Sequence, residues 1–390
     1  MGPWFFQSGW FMSAKPLVII AARWAPDYAG GLAEYQRQLA AHLEPTASTA
    51  FVALQAGRAD SLSVCPKATF LTPPASFRPA LKIWMHLAPR PILHPLLRFW
   101  VAADCLRELP LPESPPRAVH FIGTGWDFFG FAMERYARRT GARFTVWPAV
   151  HPWAWGDDVV DTCLYRLADT VFCQSESERR HLSGRGVPEE LMKVTGLPPM
   201  CRADGDGKRL RARLGISDRP AVLFMGRRDA GKGYDALIEA WPAVLGRHPE
   251  AVLLIAGTGD RKSPALPKGS FRDLGVPTGE EKADALDACD VFCLPSRHEA
   301  FGIVFAEAWS YGKPVVCGMA PAPREWVTDG VNGLWTDGKA PGIASALISL
   351  IRDKAFRISL GAAGREIQRT RLTWENVLRV HLEAFGLPVA

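Results

Sequence analysis

Short apolar runs that look buried on both faces recur along this 390-residue chain, each followed by loop chemistry or a helical pattern. The first is PLVIIAA over Pro16–Ala22. A strand that is apolar along its whole length has no solvent side, so it belongs in a parallel sheet covered by helices. Ala50–Leu54, Ala118–Ile122, Phe144–Ala149 and Thr170–Gln174 continue the series. Pro198-Pro199 then ends it, and CRADGDGKRLRARLGISDRP follows, charged and poor in large apolar residues, as a linker is. A second series comprises Ala221–Met225, Val252–Ala256, Val291–Leu294 and Val315–Cys317, with helices expected over Tyr234–Leu245, Phe305–Tyr311 and Ala344–Arg352. The class is α/β: two Rossmann-like doubly wound domains facing across a cleft. We place the first at 15–198 and the second at 199–372, with a helix in 373–390 returning to the first and 1–14 as a loose tail. Ligands of such sheets bind at the carboxyl ends of the strands.

Composition narrows the partners. A formal charge of +6 is a mild excess, so no nucleic acid is required. It suits an anionic small molecule or an anionic membrane surface. The eight cysteines include no CxxC pair and offer no zinc set, which fits free thiols in a reducing compartment. No run approaches the ~20 apolar residues of a membrane span. The aromatic start MGPWFFQSGWF lacks the basic region and apolar core of a signal peptide, so a cytoplasmic protein is expected, peripheral at the inner membrane surface if it meets a lipid. Residues 79–109 are basic and aromatic. They read either as a membrane-contact or lipid-acceptor element, or as an amphipathic helix pair broken by Pro89, Pro91 and Pro95 and packed on the first sheet.

Glycine-rich turns follow several of the runs. Gly226-Arg-Arg-Asp-Ala-Gly-Lys-Gly233 imitates a Walker A loop, but Gly233 stands where the Ser or Thr that holds magnesium belongs. Gly257-Thr-Gly259 and Gly123-Thr-Gly125 are incomplete dinucleotide fingerprints. Gly30-Gly31 opens a helix and allows either a ligand close to the backbone or merely a sharp turn. Arg227, Arg228 and Lys232 gather three cations in one strand-end loop, a set suited to a diphosphate.

The most informative stretch is PSRHEAFGIVFAEAWSYGKPVV, in which Glu299 and Glu307 stand eight residues apart. On a continuous helix that spacing is about 12 Å. It disfavours the carboxylate pair of a glycosidase, which needs ~5–5.5 Å or ~6.5–9.5 Å, although the turn before the helix could shorten the gap. Two acceptors so placed can hold hydroxyls at opposite ends of one long ligand. The backbone N–H groups of Phe301, Gly302, Ile303 and Val304 open a helix between them and face a phosphate. A nucleotide-sugar fits this order of groups.

The same stretch resembles the Glu–seven residues–Glu motif of retaining glycosyltransferases of family 4, the glycogen-synthase and mannosyltransferase type with the GT-B fold. FMGRRDAGKGYDALIEA resembles the family's "GR…KG" loop, PREWVTDGVNGLW the segment after the motif, and AGGLAEYQRQLAAHL its first loop and helix. The resemblance implies transfer of a sugar from a nucleotide diphosphate sugar to an acceptor hydroxyl, on a glycan, a lipid-linked or a small-molecule acceptor, with no cofactor and no catalytic metal. It implies Arg227 and Lys232 on the donor diphosphate and Glu299 on the transferred sugar. Glu307 falls on the ribose, with Gly31, Gly226 and the 301–304 backbone also on the donor. On the acceptor side, His151 in VWPAVHPWAWGDD is the preferred polar group, with Gly30, His120 and Asp127 beside it and Asp157 and Asp158 as weaker candidates. A nucleotide-sugar 2-epimerase of the same fold, or a sugar-nucleotide-binding protein without activity, are the rival readings.

Overall fold

The computed structural model describes residues 15–24, 31–55, 115–127, 129–148, 150–152, 155–259 and 266–389. The tail 1–14, Gly30 and the 79–109 segment lie outside the described residues, as does the side chain of Asp127.

Among its described residues the first domain holds six strands: β1 (Leu17–Trp24), β2 (Ser48–Gln55), β3 (Ala118–Ile122), β4 (Arg143–Trp147), β5 (Thr170–Cys173) and β6 (Met192–Val194). They form one parallel sheet in the order β2-β1-β3-β4-β5-β6. The second domain repeats the plan with β7 (Ala221–Met225), β8 (Val252–Ala256), β9 (Phe271–Gly275), β10 (Val291–Leu294), β11 (Val315–Cys317) and β12 (Gly333–Trp335). Its parallel order is β12-β11-β10-β7-β8-β9. Strand order reverses between β1 and β3 in one sheet and between β7 and β10 in the other, and such a switch point leaves a crevice at the strand ends. Central strands β3, β7, β8 and β10 are buried at every position, as their apolar runs require, with His120 of β3 the one polar residue among them. Strands β6, β9 and β12 are not read from the sequence: β6 and β12 are three residues long, and FRDLG of β9 is polar because it lies at a sheet edge.

The α-helices among the described residues are α1 (Gly31–Leu43), α2 (Phe129–Thr140), α3 (Val159–Tyr165), α4 (Glu176–Gly184), α5 (Gly207–Leu214), α6 (Tyr234–Leu245), α7 (Gly279–Ala288), α8 (Ile303–Ser310), α9 (Ala340–Arg352), α10 (Lys354–Arg371) and α11 (Trp374–Phe385). Thr373 caps the start of α11 by accepting from Asn376 N–H, and left-handed Gly386 ends it. This last helix packs on the first domain. His381 on α11 shares a 2.8 Å hydrogen bond with the Tyr35 hydroxyl, and Arg143 donates to the Ala384 carbonyl at 3.1 Å. Among the described residues no helix is long and apolar enough to cross a membrane.

Candidate functional site

A cavity of about 580 Å³ lies where the strand ends of the two sheets meet. From the first domain it takes Gly31 and Leu32 at the start of α1, Trp147 at the end of β4, His151, Trp155 and Gln174. From the second it takes Arg227, Gly231, Lys232 and the run His298–Ile303.

The β7 loop is built for close approach. Gly233 has φ +74°, and a methyl group there would stand 2.3 Å from the Pro295 carbonyl oxygen. Only glycine lets this loop rest against the β10 turn. Arg297 N–H donates to the Gly231 carbonyl at 2.8 Å, and the Asp229 carboxylate accepts from Lys232 N–H at 2.9 Å. Held this way, Lys232 Nζ reaches Glu299 Oε1 at 2.6 Å with both side chains largely buried.

The neighbouring arginines divide. Arg227 lines the cavity with its side chain 67% exposed, and its Nε lies 3.2 Å from Asp229. Arg228 is turned away: its side chain is 8% exposed and its guanidinium grips both carboxylate oxygens of Asp273 on β9. The expectation that all three cations of this loop serve one anion is therefore corrected, because Arg228 is committed to joining the loop to the sheet. Gly226 does not line the cavity either. Its N–H bonds the Ala256 carbonyl at 3.0 Å, and Gly257, at φ +126°, packs on its carbonyl where a methyl would stand 2.0 Å away.

After β10 the chain makes a polar turn and enters α8 through Gly302, at φ 80° and ψ 53°. No side chain caps this helix, and Phe305 N–H donates to the Gly302 carbonyl at 2.9 Å, which leaves the Ile303 and Val304 N–H groups as those of the first turn without an intrahelical partner. Phe301, Gly302 and Ile303 line the cavity, whereas Val304 does not. Glu307 lies one turn beyond Ile303 on the same helix side, fully buried, with Oε1 2.5 Å from Lys282 Nζ.

On the first-domain side, the His151 ring stacks on Trp155 at 5.7 Å. Burial, with the charges of Lys232, Arg227 and His298 adding, pulls its pKa down to about 4, so the imidazole is neutral at pH 7. His120 is elsewhere. Its ring is fully buried, hydrogen-bonded through Nδ1 to Thr145 at 2.9 Å and packed edge-on against Phe172 and His381. Burial holds it neutral, and it does not line the cavity. Asp158 caps α3 by accepting from Val160 and Asp161 N–H, while Asp157 pairs with His181 at 2.8 Å.

Sequence reasoning passed over Gln174, Met200 and His298, while Trp147, one of the tryptophans it set near the acceptor side, lines the cavity. Trp147 stacks face to face on Tyr35, ring centroids 4.1 Å apart. His298 adjoins Glu299 in the polar turn and was within reach of the motif. Gln174, by contrast, depends on Glu178, a buried carboxylate that accepts from Val150 N–H at 2.7 Å and Gln174 N–H at 2.5 Å. That carboxylate ties two strand-end loops together, and no spacing in the sequence signals it.

Comparison with known proteins places this architecture. Residues 206–367 match the family model described as glycosyl transferases group 1. A GDP-mannose-dependent alpha-(1-6)-phosphatidylinositol monomannoside mannosyltransferase of Mycolicibacterium smegmatis is 33% identical over 304 residues, covering 68% of this chain and 78% of that one. The lipopolysaccharide core biosynthesis glycosyltransferase LpsE of Rhizobium meliloti is 29% identical over 58% of this chain and 67% of its own. Among solved structures, Anabaena HepE in complex with UDP and glucose superposes with a TM-score of 0.70 at 17% identity, over 95% of this chain and 99% of its own. Sucrose-phosphate synthase from Thermosynechococcus elongatus does so with 0.73 at 20%, over 95% and 98%. With two parallel six-stranded sheets meeting at a shared cavity, and with relatives of this identity and coverage, the chain belongs to the group 1 glycosyltransferases of the family 4 type and has the GT-B fold.

Proposed function

We propose that this glycosyltransferase moves a hexosyl group from a nucleotide diphosphate sugar to an acceptor hydroxyl with retention of anomeric configuration and without a catalytic metal. One observation carries the reading: a single cavity holds Arg227, the Lys232–Glu299 pair and the uncapped start of α8, with neutral His151 facing them. Arg227, Lys232 and the helix start form the anion site for the diphosphate. Glu299 accepts from hydroxyls of the sugar, and Glu307 from the ribose.

In the proposed step the acceptor oxygen forms a bond to the anomeric carbon while the bond to the diphosphate oxygen breaks on the same face. The acceptor proton passes to that departing oxygen, and the fixed cations stabilise its growing charge. His151, neutral at neutral pH, takes part as a hydrogen-bonding group beside the acceptor. The mannosyltransferase relatives are named for GDP-mannose and a phosphatidylinositol mannoside. GDP-mannose is accordingly the first donor to test and a lipid-linked saccharide the first acceptor, used from the cytoplasmic face of a membrane.

The test begins with a thermal-shift screen of UDP-, GDP- and ADP-sugars, since a ligand of the folded state raises Tm by a term set by its Kd. The stabilising donor is then incubated with acceptor in EDTA, following nucleotide release and the product anomer by NMR. Acceptor-dependent release and a retained anomer are expected. Donor turnover without acceptor would mark a 2-epimerase, and binding without turnover a sugar-nucleotide-binding protein.

A further inference from the structure

The Glu307 carboxylate is half satisfied. It is fully buried, Oε1 receives Lys282 Nζ at 2.5 Å, and Oε2 has no hydrogen-bond partner among the described residues. A buried charged oxygen left unpaired is costly, and native proteins keep few of them without a use. Here the orphan sits one helical turn behind Ile303, which lines the cavity.

The local sequence sets the register of Lys282. It follows a reciprocal cap in which Thr278 N–H donates to Glu281 Oε2 at 3.0 Å and Thr278 Oγ1 accepts from Glu281 N–H at 3.4 Å. That box sets the phase of α7 and hence the side from which the ammonium approaches α8. Burial pulls the ammonium pKa down, but the Glu307 charge and hydrogen bond, with Cys201 and Glu34 adding, carry it above its ordinary value. Glu34 belongs to α1 of the first domain and is held by Gln38 at 2.7 Å. Lys282 is thus a permanent cation at the seam between the domains, and a lysine is a point charge that can meet one carboxylate oxygen without covering the other.

We propose that Lys282 is a positioning residue: by fixing Glu307 through Oε1 it orients the carboxylate and reserves Oε2 as the acceptor for a ribose hydroxyl of the donor. The inference rests on the reading of Glu307 as the ribose acceptor. It makes the ribose preference of this protein depend on a residue outside the Glu–seven residues–Glu motif.

The experiment measures Kd by calorimetry for GDP and UDP and for their 2′-deoxy and 3′-deoxy forms, on the full chain and on Lys282→Met, Glu307→Gln and the double variant. The native chain is expected to prefer the ribonucleotide over at least one deoxy form by tenfold or more. Lys282→Met should lower that preference at least fivefold, and in the Glu307→Gln background the same change should have no further effect on it. Lys282→Ala, which also takes away the donor to Oε1 but leaves room for water, replaces Lys282→Met if a thermal melt shows the latter unfolded. An unchanged preference in a folded neutral variant at position 282 overturns the proposal. If Glu307→Gln keeps the native preference, the ribose reading of Glu307 fails instead, and the two failures are told apart.

Discussion

Lys232 Nζ and Glu299 Oε1 stand 2.6 Å apart at the floor of the cavity, each using up the other's charge. A donor that binds there must take over part of this pairing: its diphosphate draws on the lysine and its sugar hydroxyls donate to the glutamate. Removing either partner leaves the other buried and unpaired. Glu299→Ala is expected to reduce transfer at least 100-fold in a protein that stays folded, comparable to the ~2.7–4 kcal/mol lost with one oxyanion donor. Nucleotide-release assays on the purified variant, with a thermal melt alongside, check this. Near-normal turnover would remove Glu299 from the site.

Adjacent arginines should separate function from stability. Arg227 is largely exposed beside the cavity, so Arg227→Ala is expected to lower transfer at least 100-fold while changing stability by no more than about 0.5 kcal/mol. Arg228 is buried against Asp273, so Arg228→Ala should cost about 3 kcal/mol of stability. Denaturant melts and transfer rates of the two variants form the comparison. Equal stability losses would show that the two side chains are not divided as described.

This contrast also marks how far the sequence could be read. The unbroken apolar strands and the Glu–seven residues–Glu stretch exposed both the architecture and the cavity's second-domain wall, because burial on both faces and a polar strand-end turn leave local signatures. Arg228 was misassigned because its partner Asp273 lies on an edge strand 45 residues away, beyond any local pattern. His120 misled for a related reason. It matches a histidine position of the family the chain resembles, yet α11 returns from the end of the chain to cover it with His381 and Phe385. The first-domain wall of the cavity is legible only in part, since Trp147 and Gln174 are placed by long-range contacts with Tyr35 and Glu178.

The two domains are also joined away from the cavity. Glu325 of the second domain accepts from the N–H groups of Glu176, at 2.8 Å, and Ser177, at the start of α4 in the first domain. Arg180 reaches the same carboxylate at 3.3 Å. A carboxylate at a helix start satisfies orphan donors and opposes the helix dipole. Glu325→Ala is expected to cost about 1 kcal/mol and to speed amide hydrogen exchange at Glu176 and Ser177. Glu178 N–H, which donates to Ser175 within the first domain, provides the internal reference. Exchange rates unchanged at residues 176 and 177 would exclude a capping role for Glu325.

Glu178 gives the fold a pH dependence of known sign. Burial, with the Glu325 charge adding, pushes its pKa from 4.5 up to about 8, against the pull of its two backbone N–H donors. The folded protein therefore holds this proton over a range where the unfolded chain has released it. The stability so contributed is fully present below pH 4.5 and is lost as pH rises through about 8, at up to about 1.4 kcal/mol per pH unit. Glu178→Gln cannot titrate. Its stability is expected to be offset at every pH by the weakened ties to Val150 and Gln174, but to fall less steeply than that of the native chain between pH 5 and about 8. Thermal melts of both proteins across that window measure the difference in slope. Parallel profiles would mean that Glu178 is ionised in the folded state throughout, with its two backbone donors outweighing burial.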